Sequence, residues 1–310
     1  MLSVSPRTVS RVAWGVLGYT VLVILWGAFV RASGSGAGCG DHWPLCNGEV
    51  VPTAPTLNTI VEFGHRLTSG LAGLAALALV VVAFRGTNKG SPVRKAAVAS
   101  FAFMMTEAAI GAGLVLFEYV AYNPSIARAL WMAAHLTNTF LLLGALTLTA
   151  WWSEGARVPR LGLRPETAWV GAALAATLVL GAGGAVTALG DTLVLGGGLD
   201  PETDPVVATL LAARVFHPTM AFVTLAVLGA AVAATRNGGP ASRLGLALVG
   251  TFVVQMALGA LNVALMAPIW LQIVHLLLTD LIWIGLVVWA SETLAATARQ
   301  PAAVPAEALA

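Results

Sequence analysis

Charge is what this sequence has least of. Only 10% of its 310 residues are Asp, Glu, Lys or Arg, while 58% are hydrophobic and the mean hydropathy is +0.86. Soluble domains carry about a quarter charged residues, so a water-soluble globular fold is excluded and an integral membrane protein is expected. Cysteine is nearly absent, with two in the chain, Cys39 and Cys46, seven positions apart. A processed leader is also missing from the pattern. The first apolar run follows Arg7 and Arg11 as in a signal anchor, but no small-residue cleavage site comes after it, so it is expected to stay as a span.

Eight apolar runs are present, near 12–30, 60–84, 96–117, 130–152, 168–188, 209–234, 244–266 and 270–290. Each approaches or exceeds the roughly 20 residues that cross a bilayer as a helix. Arg7, Arg11, Arg85, Lys89, Arg94, Lys95, Arg157, Arg160, Arg164, Arg236, Arg243 and Arg299 fall on one side of these spans, whereas Arg31, Arg128 and Arg214 lie near the other. The positive-inside rule therefore predicts a multi-pass protein of the cell membrane with both termini cytoplasmic. The net charge of +2 is this bias and not a nucleic-acid footprint. The outward segment 191–204 is acidic, through Asp191, Asp200, Glu202 and Asp204, and solvation accounts for it at this level.

Against this apolar background, Glu62-Phe63-Gly64-His65-Arg66 stands out at the start of the second span. Ionisable residues in hydrocarbon mark function by default. Glu62 and His65 are one turn apart on a common helix face. Upstream lies a Ser/Gly-rich loop and then Cys39-Gly40-Asp41-His42-Trp43-Pro44-Leu45-Cys46. Outside the cytoplasm two nearby cysteines suit a disulfide, either as a staple or as a redox pair.

The second half of the chain copies the first. Gly27, Val30 and Gly34 match Gly183, Val186 and Gly190; His65 matches His217; Glu107 and Gly111 match Gln255 and Gly259; His135 matches His275. The separation between matched positions shortens stepwise, as when spans are retained and loops vary. With four spans between copies both halves run the same way, a parallel repeat. The expected fold is all-α, eight transmembrane helices forming two four-helix bundles. The bundles would be residues 1–152 and 167–310, the second ending in a short cytoplasmic tail, joined by a cytoplasmic linker at 153–166. The second copy lacks the cysteine loop, and Val215-Phe216-His217-Pro218 has no acid at the place of Glu62.

His65, His135, His217 and His275 lie about 5–9 residues into descending spans, roughly 7–13 Å deep at 1.5 Å per residue. That is two histidines per bundle at one level. Facing histidines in a four-helix bundle can hold haem iron. Zinc would want three or four ligands, and copper would recruit methionine or thiolate. A membrane histidine can also be interhelical hydrogen-bonding glue, although a duplicated pair at matched depth argues against that. Gly64, Gly70, Gly73, Gly111 and Gly113 would admit either a flat macrocycle or simply close helices. Arg66, Arg128 and Arg214 are candidates for haem propionates, or helix-end arginines reaching for the surface. Glu107 and Asp280, mid-span, suit interhelical hydrogen bonds or a proton path.

Taken together, Val30-Arg31 before Ser33-Gly34-Ser35-Gly36, the loop Cys39…Trp43-Pro44-Leu45-Cys46, Glu62-x-x-His65-Arg66 and the three later histidines resemble bacterial-type haem A synthases from about residue 12 to 290. The resemblance implies an eight-helix oxidoreductase acting on a CH3 group, oxidising the C8 methyl of haem O to the formyl of haem A for the terminal oxidase. It implies that His65 and His135 flank the substrate haem O, that His217 and His275 ligate the iron of a haem b, that Glu62 is the catalytic carboxylate and that Cys39 and Cys46 form the outer-loop pair. Haem O synthase and terminal oxidase assembly are the implied partners. One departure is visible: the family commonly has Asp before Trp-Pro, where this chain has His42 with Asp41 one place earlier.

Two other classes compete: a dihaem cytochrome b that relays electrons without modifying haem, and a haem-transport protein. A pure relay predicts similar halves, yet Glu62 and the cysteine loop occur in one only. Transport predicts broken helices at the midplane, whereas these spans look continuous and carry their histidines near the outer face.

Overall fold

The computed structural model describes residues 4–297 apart from 160, 161, 163 and 237, so Arg160, Arg299 and the segment beyond 297 lie outside the described residues. The helices are α1 (Pro6–Ala32), α2 (Leu57–Gly86), α3 (Pro92–Leu116), α4 (Ile126–Ser153), α5 (Pro165–Asp191), α6 (Pro205–Ala212), α7 (Phe216–Ala234), α8 (Pro240–Ala264) and α9 (Ile269–Thr297). No strand occurs among the described residues. With α6 and α7 counted as one span, eight helices are long and apolar enough to cross a membrane. The protein is an all-helical multi-pass membrane protein. In hydrocarbon each backbone N–H and C=O must be bonded within its own segment, and helices achieve this.

The helices start earlier than hydropathy predicts because their first turns are polar. Proline occupies the opening turn of α1, α3, α5, α6 and α8, where its missing N–H costs nothing. Ser5, Thr56, Ser91, Ser125 and Asp204 cap α1, α2, α3, α4 and α6 by accepting first-turn N–H groups. The cap at Asp204 and an ion pair of Asp191 with Arg214 give two of the acids in 191–204 a structural role beyond solvation.

The sixth span is not the continuous α-helix expected. A 3-10 turn, Ala213–Val215, interrupts it just before His217. Pro218 is the cause: it has no N–H to give the carbonyl of Arg214, and its ring crowds that carbonyl, so the preceding turn tightens. The fifth span also runs on past α5 through a π-helical turn, Thr192–Gly196, so the loop expected from 189 begins later.

Helices α1, α2, α3 and α4 pack as a ring, each against the next and α4 against α1; α5, α7, α8 and α9 do the same. The rings meet where α4 touches α5 and α9, and where α1 touches α9. At this seam the Phe140 and Trp283 rings stack, with centroids 5.2 Å apart, and Trp283 Nε1 donates to the Phe140 carbonyl at 2.6 Å. Gly181 lets α5 come close at this point, since a Cβ there would meet Phe140 Cε2 at 2.5 Å. Small residues at such crossings replace the hydrophobic driving force that lipid does not supply.

Candidate functional site

The histidines are set on diagonal members of each ring, His65 on α2 with His135 on α4, and His217 on α7 with His275 on α9. Within each pair the imidazoles lie in electrostatic range of one another. Three of the four rings rest on a glycine of a neighbouring helix. A Cβ on Gly27 would sit 2.9 Å from His65 Cε1, one on Gly184 would sit 3.0 Å from His217 Cε1, and one on Gly259 would sit 3.2 Å from His275 Cε1. Gly184, not Gly183, is therefore the partner of His217, and the repeat in α1 and α5 is one residue out from the register expected. Gly183 instead meets Phe216.

The Nδ1 atoms separate the four rings. His217 Nδ1 lies 3.2 Å from the Leu180 carbonyl, to which it donates, leaving the lone pair on Nε2. His135 Nδ1 lies 3.1 Å from Glu107 Oε1, within ion-pair reach though not aligned as a hydrogen bond. His65 and His275 Nδ1 are buried without a hydrogen-bond partner among the described residues. Glu107 is held from α4, with Asn138 Nδ2 donating to Oε2 at 2.5 Å and Thr139 Oγ1 donating to Oε1. Its counterpart Gln255 reaches past the ring of His275, and its Nε2 donates to the His275 carbonyl at 2.9 Å and to Thr279 Oγ1 at 2.5 Å.

Glu62 is 4% exposed and joins α2 to the cysteine loop. Its Oε2 accepts the Cys39 N–H at 2.8 Å, and its Oε1 accepts from Arg66 Nε at 3.1 Å and Nη2 at 2.5 Å. Arg66 Nη1 donates to the carbonyls of His42 and Leu45. Thr59 Oγ1 donates to the Gly38 carbonyl at 2.9 Å, and Gly38 has no room for a Cβ, which would lie 2.3 Å from the Asn58 carbonyl oxygen. Cys39 and Cys46 are bonded to each other and fully buried under this clamp. Asp41 and His42 pair with each other at 3.2 Å on the exposed rim.

The fold thus has a use for an acid at position 62, where it joins α2 to the cysteine loop; the matching position before His217 is Arg214, paired with Asp191. The second half has neither the acid nor the loop. Arg66 has its donors engaged by Glu62 and by that same loop, and Arg214 pairs with Asp191. Arg128 is different: 3% exposed, it donates from Nη1 to the Asn123 carbonyl at 3.1 Å, while its buried Nε has no partner among the described residues. Asp280, fully buried, likewise has both carboxylate oxygens without a partner there, so the interhelical hydrogen bond expected of it is absent; Glu107 does make one.

Arg31 was invisible as anything but a charge. Its Nη1 donates to the Ala188 carbonyl at 2.9 Å and Thr192 Oγ1 at 2.6 Å, and its Nη2 to Gln272 Oε1 at 2.7 Å. It ties α1 to α5, its π-helical turn and α9, and lies in electrostatic range of Arg128. No local signal could have shown this, because all its partners come from the other half.

Among the described residues no three His, Cys, Asp or Glu converge as a metal site, which leaves two imidazoles in each ring of helices. Two imidazoles on diagonal helices, at least one of each pair seated on a glycine, are a donor set that would fit a flat iron macrocycle. The sequence that carries these residues matches, over residues 10–287, a family described as cytochrome oxidase assembly protein. The chain belongs to the COX15-CtaA family. Relatives from two strains of Thermus thermophilus, each named "Protoheme IX farnesyltransferase", are 48% identical over 299 residues, which is 93% of this chain but 49% of theirs. The chain spans about half the length of those relatives. A Bacillus cereus protein named "Heme A synthase" is 41% identical over 97 residues, 31% of each chain.

Proposed function

We propose that this chain performs the oxidation of haem O to haem A. The first four spans, within 1–152, would hold haem O between His65 and His135, and the last four, within 167–310, a haem b between His217 and His275. Haem iron supplies the redox chemistry for taking the C8 methyl to a formyl, and the chain's residues bind, orient and manage protons around it. Glu62, one turn from His65, is the group beside the substrate able to hold or release a proton. Arg128, with its buried Nε unpartnered, is the propionate contact the geometry favours; Arg66 and Arg214 are engaged elsewhere. The single observation that carries the reading is the asymmetry of two otherwise matched histidine sites, one of which alone has a buried acid and a disulfide loop locked to it.

The family assignment and the likeness to a Bacillus haem A synthase support this reading. The Thermus name describes proteins about half of which lies outside the match. Farnesylation of protohaem makes the substrate this reading requires, so a haem O-forming enzyme and the terminal oxidase are the partners proposed. The membrane proposed is the cell membrane, with the cysteine loop outside and Arg7, Arg11, Arg85, Lys89, Arg94 and Lys95 at the cytoplasmic ends.

A second reading, a dihaem cytochrome that only relays electrons, is favoured by one observation: both oxygens of Glu62 already have structural partners. Pigment analysis separates the two. Co-expressed with a haem O source, the purified protein should yield haem A alongside haem O and haem B. Haem B and unaltered haem O alone would establish the relay.

A further inference from the structure

Among the described residues, Glu107 is the one carboxylate that faces any of the four imidazoles, and it faces His135. Two residues of the same helix as His135, Asn138 and Thr139, grip its two oxygens, and Thr139 Oγ1 also donates to the His135 carbonyl at 3.0 Å. The carboxylate is therefore fixed relative to the ring it faces. The other ring of that pair, His65, has its Nδ1 buried without a hydrogen-bond partner among the described residues. In the second half the corresponding residue is a neutral amide turned to backbone and hydroxyl, and the acceptor on His217 is a neutral carbonyl. Among the described residues, a carboxylate faces a ring in the first site and none does in the second.

A carboxylate on the Nδ1 side of a ligating histidine fixes its tautomer, aims Nε2 and raises its basicity. A stronger donor on one side of an iron weakens whatever binds on the opposite side. Resting on the proposal that His65 and His135 hold the substrate haem, we infer that Glu107 is a positioning residue that makes His135 the anchoring ligand and leaves His65 the exchangeable one. The face of the macrocycle that opens is then the face toward α2, which carries Glu62 one turn from His65. Glu107 acts through His135 and touches no reacting atom.

The test uses the full chain purified with its haem, with the haem on His217 and His275 as the internal control for folding. His65→Ala should keep its second haem, now high-spin and able to bind carbon monoxide when reduced. His135→Ala should lose it. Glu107→Gln, which keeps the size and the contacts to Asn138 and Thr139, should shift the spectrum of that haem and weaken its retention against apomyoglobin about 10–100-fold, the usual cost of removing such a partner. Gln255→Ala should leave that haem unchanged. Equal loss of haem in His65→Ala and His135→Ala, or an unaltered spectrum and retention in Glu107→Gln, overturns the assignment. If neither histidine substitution changes any haem signal while the control haem is intact, the haem site itself is wrong and the inference falls with it.

Discussion

The two histidine sites are built on the same plan and differ in what surrounds the plan. In both, imidazoles on diagonal helices lie in electrostatic range of one another, and glycine on a neighbouring helix makes room for His65, His217 and His275. On the helices of the first pair there are the buried Glu62, one turn before His65 and locked to the disulfide loop, and the half-buried Glu107, which faces His135 and is held by α4. Around His217 and His275 there are a carbonyl and an amide. The second pair still has charged residues nearby, with Arg214 paired to Asp191 one turn before His217 and the buried Asp280 on the helix of His275, but no carboxylate faces either of its rings among the described residues.

The largest expected effect breaks the comparison outright. His217→Ala or His275→Ala should abolish the low-spin haem b absorbance, whereas His65→Ala should leave it. Visible spectra of the purified variants decide the matter, and equal loss of haem b in His65→Ala would end the division of labour between the halves.

Next in size is Glu62→Gln, which retains an acceptor for the Cys39 N–H but loses the charge opposite Arg66. Haem A formation should fall about 10²–10⁴-fold, the common cost of losing a general acid or base, with haem O or a hydroxylated intermediate accumulating and haem b retained. The structural role of Glu62 forces a second readout. Thiol labelling of the non-reduced variant should still find Cys39 and Cys46 bonded. If activity falls only in proportion to opened loops or lost protein, Glu62 is a clamp and not a catalyst.

The smallest effect sharpens the register of the repeat. Gly184→Ala puts a methyl 3.0 Å from His217 Cε1, and should cost about 1–3 kcal/mol by overpacking and perturb the haem b spectrum. Gly183→Ala meets Phe216 at 3.1 Å instead, and should leave that spectrum unchanged. Thermal melts with absorbance recorded on both variants distinguish them. The reverse pattern would restore the register that the sequence suggested.

Much of the protein was legible in one dimension. Scarcity of charge and the length of the apolar runs determine eight spans, because a bilayer of fixed thickness accepts only helices whose backbone bonds are internal. The repeat and the four histidines could be found because related side chains must recur at related depths. The cysteine loop announced itself as a pair of cysteines in a chain with no others. Only the tertiary structure could decide which side chains meet. Glu107 on α3 faces His135 on α4, Arg31 binds α5 and α9, and Glu62 belongs as much to the loop as to its own helix. Helical periodicity tells which residues share a face of one helix, but it carries no information on rotation about the axis relative to a neighbour. That rotation is set by packing, here by glycines such as Gly27, Gly181 and Gly184 at the points where helices come closest.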